Sequence, residues 1–256
     1  MAEQDSPPTD SEQSFVSHLV ELRDRLLKAS YFVIGAMILL AFFPGPSKLV
    51  DFMILPIQPY LPAGTKLIAT SVISPVLIPL KILALSALLL ALPAVLYQAW
   101  MFVAPGLYSH EKKLALPVII SGYVLFIIGA AFVHFFVIGQ MFKFIQNFSP
   151  ASINATPDIA SYAETLISLY LVFGISFQVP VVILLLVRFN MVTVAQLREY
   201  RGYFWVGAAV ISAVVTPPDL VSQIALLVPM GILYELGIIF SGVYVRASKA
   251  DRKSVV

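Results

Sequence analysis

Long apolar runs separated by short polar breaks constrain this chain more than any other feature. Residues 26–43, 75–103, 114–145, 159–187 and 220 to about 245 are almost continuously hydrophobic. Each approaches or exceeds the roughly 20 residues that carry a helix across a hydrocarbon core about 30 Å thick. A sixth run, 203–215, is shorter. The breaks are rich in helix-stopping residues: Pro44-Gly45-Pro46, "QNFSPASINATPD" at 146–158 and "TPPD" at 216–219. Of 256 residues, 59% are hydrophobic and 12% charged, against about 25% charged in a soluble domain. The expected fold is an all-α integral membrane protein with six transmembrane helices. Residues 1–13 form a polar, disordered N-terminus, 14–245 the membrane domain, and 246–256 a basic tail. Residues 44–74 read as a Pro-rich connection holding one apolar patch, "LVDFMILPI".

Six spans return both termini to one side. Arg23, Arg25 and Lys28, Lys112 and Lys113, Arg188, Arg198 and Arg201, and Arg246, Lys249, Arg252 and Lys253 would share that side. Lys48, Lys66 and Lys143 would lie opposite. The positive-inside bias assigns both termini to the cytoplasm. The run at 203–215 rises only about 20 Å, so it must thin the bilayer, tilt its neighbours or lean on partners.

The same residues exclude several classes. Cysteine is absent, which removes disulfides, thiolate chemistry and Cys-based metal sites. His18, His110 and His134 are far apart, and neither "HExxH" nor the phosphate-cradling "GxxxxGK[ST]" occurs. A net charge of +2 with no basic run interleaved with aromatics argues against nucleic acid. The acidic, polar start does not read as a cleaved signal peptide. No metal, cofactor or enzymatic activity is expected.

Polar groups inside the runs are the candidates for function, because burying them in lipid is costly. Gln178, two residues before Pro180, falls near mid-membrane, and Glu235 falls toward the cytoplasmic half. One reading has both lining a wet cavity that receives a polar substrate. The other gives Gln178 one interhelical hydrogen bond and leaves Glu235 neutral or snorkelling. Lys81 reads as a snorkelling residue, His134 as a packing residue ahead of a proton relay, and Asp219 as a helix N-cap.

One stretch does not fit simple anchoring. "HLVELRDRL", 18–26, continues an apolar stripe through Phe15, Leu19, Leu22 and Leu26, yet carries two acids at a membrane boundary. Glu21 with Arg25, and Asp24 with Lys28, are i,i+4 pairs in the favourable order. That describes a salt-bridged interfacial helix. A further acid, Glu111, stands in the next cytoplasmic loop. Two carboxylates on one membrane face could instead receive a cationic ligand, arginine being the natural partner through its bidentate fork.

"HLVELRDRL" followed by "SP", "APGLYSHEKK" (104–113), "DIASY" (158–162), "FGISFQVP" (173–180) and "TPPD", in this order, resemble the TatC family, the multispanning core of the twin-arginine protein translocase. The resemblance covers about residues 14–245. It implies six helices arranged as a concave cup in the bacterial inner membrane, with cytoplasmic termini. It implies recognition of twin-arginine signal peptides of folded cargo, transport driven by proton-motive force, and partnership with single-span TatA/TatB-type proteins and other copies of the chain. Family positions that contact the twin arginines map onto Glu21 and Glu111. Arg23, Phe102 and Pro105 match positions in or near that surface. Thr216 and Gln223 match a polar site where the single-span partners dock, and Asp219 an outer-loop position. The family commonly has Glu where this chain has Gln178, and some relatives have Tyr and Pro at the positions of His134 and Gly139. A competing reading is an ion-coupled small-solute transporter using Gln178, Glu235 and His134. The matching halves common in such folds are not visible.

Overall fold

The computed structural model describes residues 10–61, 67–103, 115–148, 157–216 and 220–254. It is helical almost throughout. Helix α1, Asp10–Phe42, runs unbroken from the charged stretch into the first apolar run. Pro44 and Gly45 end it. Gly45 takes φ +94°, a left-handed conformation that glycine adopts without steric cost. Pro46 then opens α2, Pro46–Ile54, where its missing N–H is not needed. A 3-10 turn, Leu55–Tyr60, continues α2. The apolar patch within the Pro-rich connection is therefore a packed helix, and Met53 and Ile57 are buried by it.

Helix α3, Ser74–Val103, carries Pro79 and Pro93 internally. The next run is a single rod in three parts. These are α4, Ala115–Phe132, a π-helical turn, Val133–Val137, and α5, Ile138–Phe148. The run ending at Val187 is interrupted: α6, Ile159–Ser176, stops at Phe177, and α7, Val179–Arg188, restarts with Pro180 in its first turn. Pro180 cannot donate to the preceding turn, so the break falls where its ring demands one. Helix α8, Val194–Glu199, is held by a capping box between Thr193 and Gln196. Helix α9, Arg201–Val215, follows, and α10, Leu220–Ser254, continues through most of the basic tail.

Five helical segments are long and apolar enough to cross a membrane: Val16–Phe42, Ser74–Phe102, Leu116–Phe148, Ile159–Arg188 and Leu220–Arg246. Helix α9 is apolar but short, at about 22 Å.

Helix α1 packs along α3, α3 against α4 and α6, and α10 against α7 and α9. The main core runs through Ile78, Ile82, Val133, Val137, Leu166 and Phe173. A second cluster joins Ile183, Val187, Leu197, Tyr234 and Ile238. Two reciprocal glycine–phenylalanine contacts set the spacing of α4 and α6. The Phe126 ring occupies the space a Cβ on Gly174 would need, and a Cβ on Gly129 would stand 2.9 Å from the Phe177 ring. Small residues let helices approach closely where lipid supplies no hydrophobic drive. The outer surface is apolar, as at Leu26, Tyr31, Phe32 and Leu39 of α1.

Candidate functional site

The N-terminal half of α1 meets the C-terminal end of α3. His18 stacks on Phe102, ring centroids 4.4 Å apart and planes 21° from parallel. This fastens "HLVELRDRL" to the C-terminal end of α3. One turn further along α1, Arg25 donates to Glu21 Oε1 at 3.2 Å. The pair is half-buried, with side-chain exposures of 22% and 30%. Charge-assisted hydrogen bonds settle near 2.7–2.9 Å, so this one is loose. The expected Glu21–Arg25 pairing is present, whereas the expected Asp24–Lys28 pairing is not formed. Asp24 accepts instead from its neighbour Arg23, at 3.0 Å from Nη2 and 3.2 Å from Nε, on the exposed side of the helix. Arg23 reaches Asp24 without crossing a helical turn, which leaves Lys28 out of competition. Pro105 and Glu111 lie outside the described residues.

Gln178 sits at the break between α6 and α7. Its amide donates to the Gly122 carbonyl of α4 at 3.0 Å and more weakly to the Gly174 carbonyl at 3.4 Å. The side chain therefore makes an interhelical bond and also serves a carbonyl of the interrupted α6. Glu235 does not stand alone: Arg201 at the start of α9 donates to its Oε2 at 2.6 Å. Beside it, Tyr234 donates to the Leu197 carbonyl at 2.7 Å and stacks on Phe204. These contacts tie α8, α9 and α10 together.

At the far end of α9, Thr216 is buried and its hydroxyl donates to the Ser212 carbonyl at 2.7 Å. The Ser212 hydroxyl donates to the Gln223 carbonyl at 2.7 Å. Thr216, Ser212 and the Gln223 backbone thus form one polar clasp between α9 and α10, while the Gln223 side chain stays partly exposed. Asp219 lies outside the described residues.

His134 lies in the π-helical turn, buried, with Nδ1 at 2.8 Å from the Tyr170 hydroxyl and its ring stacked on Phe52. It is a satisfied packing residue. Lys81 does not stand alone: Glu164 of α6 is its partner at 2.9 Å.

Two polar features escaped the sequence reading. Asp158 caps α6, accepting from the Ser161 N–H at 3.0 Å, and also accepts the Thr70 N–H at 3.1 Å and hydroxyl at 3.0 Å. The Ser161 N–H, then the Thr70 N–H, hold its carboxyl at about 2, down from 3.8. An Asp directly before an apolar helical run is a capping signal that could have been found. Glu164, inside the run at 159–187, was also missed; a lone acid in an apolar run was its signal.

Among the described residues, no group of three or more His, Cys, Asp and Glu could hold a metal ion. The arrangement offers binding surfaces: an acid in the N-terminal half of α1, and polar clasps between helices.

Residues 17–229 match the family model described as Sec-independent protein translocase protein (TatC). The chain is 42% identical over 241 residues to the Sec-independent protein translocase protein TatC of Halothiobacillus neapolitanus, covering 94% of this chain and 65% of that protein. The chain thus spans just under two thirds of that relative's length. It is 40% identical over 233 residues to the TatC protein of Escherichia coli K12, covering 91% and 90%. A crystal structure of the twin-arginine translocase receptor TatC superposes with a TM-score of 0.75 at 32% identity, over 88% of this chain and 98% of that one. By sequence, length of match and fold, the chain belongs to the TatC family of Sec-independent protein translocase proteins.

Proposed function

We propose that this chain is a receptor for twin-arginine signal peptides and the core of a Tat translocase that exports folded proteins. Glu21 and Glu111 bind the paired arginines, with Arg23, Phe102 and Pro105 around them. The observation that carries this reading is the state of Glu21: a half-exposed carboxylate in a loose bond, one turn from the His18–Phe102 stack. Such a carboxylate is ready to exchange an internal guanidinium for an incoming one, which can engage both oxygens at once.

In this reading the protein spans the bacterial inner membrane six times, with α9 as the short span and both termini cytoplasmic. The six spans form a concave cup. The apolar part of the signal peptide enters near Gln178, with Glu235 the second polar group inside the membrane. TatA/TatB-type single-span proteins dock at Thr216, Asp219 and Gln223, further copies of the chain complete the complex, and proton-motive force drives transport. The chain itself is not an enzyme. Solute transport through Gln178, Glu235 and His134 is less well supported, because the three engage separate partners, Gly122, Arg201 and Tyr170.

The test is binding of a labelled signal peptide to the purified chain in nanodiscs. Arg-Arg and Lys-Lys peptides are compared on the wild type and on Glu21→Ala/Glu111→Ala. A preference for Arg-Arg that disappears in the double variant supports the reading. Unchanged affinity in that variant sinks the site.

A further inference from the structure

Lys81 Nζ and Glu164 Oε1 stand 2.9 Å apart and join α3 to α6. Both side chains point out of the helical bundle, 45% and 64% exposed. Charged groups within membrane helices usually face the bundle interior, so an outward pair needs something outside to meet it.

Depth identifies what that is. Lys81 lies seven residues into α3, about 10.5 Å along the helix, and Glu164 five residues into α6, about 7.5 Å. The span Ser74–Phe102, 29 residues long, measures about 44 Å, close to a bilayer with its headgroups, whose hydrocarbon core is about 30 Å. The hydrocarbon boundary then falls about 7 Å in from each end. The pair sits within a few ångströms of that boundary, where phospholipid headgroups begin.

Its bonding capacity is unfinished. An ammonium has three donors, and Lys81 spends one on Glu164. The carboxylate keeps its second oxygen. Donors and acceptors are therefore offered side by side, the complement of a headgroup that carries a phosphate next to a primary ammonium. A phosphatidylglycerol headgroup would satisfy Lys81 but bring its negative charge beside Glu164 with no ammonium of its own for that carboxylate. A choline headgroup has no N–H to donate. Exposed Ser161 and Ser168, three residues before and four after Glu164, extend the polar stripe along the same side of α6.

We infer that Lys81 and Glu164 form a headgroup site for phosphatidylethanolamine, the phosphate on Lys81 and the ammonium on Glu164. The inference requires only that α3 and α6 cross a bilayer; it stands apart from signal-peptide binding.

The test is native mass spectrometry of the full chain released from detergent with phosphatidylethanolamine, phosphatidylglycerol or phosphatidylcholine of matched acyl chains. The wild type should hold phosphatidylethanolamine roughly tenfold more tightly than the other two, the scale of one charge-assisted hydrogen bond. Glu164→Gln should lose that preference, and Lys81→Met should weaken both phosphatidylethanolamine and phosphatidylglycerol. The reversed pair, Lys81→Glu/Glu164→Lys, keeps both charges and should retain a preference for the zwitterion bearing a primary ammonium. Equal binding of the three lipids by the wild type overturns the inference. So does an unchanged preference in Glu164→Gln. If the single variants lose a co-purifying single-span protein while lipid preference is unaltered, the stripe is a protein-docking face and the lipid assignment is wrong.

Discussion

Arg25→Ala should strengthen the binding of a twin-arginine peptide, although it removes a residue from the charged motif itself. Arg25 occupies Glu21 at 3.2 Å with both side chains partly exposed. An i,i+4 pair of this kind is worth about 0.3–0.5 kcal/mol. An incoming arginine must displace it, so its removal returns that amount to the complex, about a twofold gain in affinity. Loss of a nearby positive charge acts in the same direction and fades with salt, because the Debye length is about 8 Å at 0.15 M. Glu21→Gln makes the opposite change. It removes a hydrogen bond to a charged group, worth about 1.5–3 kcal/mol, and should weaken binding roughly tenfold or more. The assay is fluorescence anisotropy of a labelled peptide against the chain in nanodiscs at two salt concentrations, with Lys28→Ala as a control for charge alone. An affinity loss in Arg25→Ala as large as in Glu21→Gln would refute the reasoning. It would mean that Arg25 belongs to the binding surface and does not compete for it.

The helix contacts make further predictions. Gly174→Ala should destabilise the chain by about 1–3 kcal/mol through overpacking against Phe126; a lowered melting temperature in detergent, largely restored by adding Phe126→Leu, is the expected result. Asp158→Asn should lower the melting temperature at pH 7. The folded carboxyl titrates at about 2 instead of 3.8, so its stabilising charge is fully present above pH 4 and lost as pH falls toward 2. The gap between wild type and variant should therefore close over that window. Arg201→Ala and Glu235→Gln should each cost up to about 1 kcal/mol, since the pair is partly exposed. A double-mutant cycle on thermal stability should show that their effects do not add.

The spans were legible because lipid demands long apolar runs, and composition alone shows them. Helix α2 was not, because nine residues between prolines look like linker until Met53 and Ile57 are seen packed in the core. The π-helical turn at Val133–Val137 has no sequence mark of its own, and neither do the contacts His134 makes there with Phe52 and Tyr170. Within the site, Glu21–Arg25 was readable from helical spacing. The His18–Phe102 stack was not, because it joins residues that only the packing of α1 on α3 brings together. Glu235 could be recognised as costly, but its partner Arg201 lies 34 residues away, on another helix. Lys81–Glu164 spans 83 residues. Pairs of this kind are set by which helix faces which, and hydropathy does not record that.

The unbroken course of α1 has a mechanical consequence. From Glu21 to Phe42 the helix contains no proline and runs about 32 Å, so it forms a stiff lever about as long as a hydrocarbon core is thick. A tilt of about 5° about its seat on α3 would carry the Phe42 end some 3 Å sideways, taking the lever at about 32 Å. A peptide bound at Glu21, as proposed, would thereby gain a handle on the Pro44-Gly45-Pro46 corner at the other end of the helix.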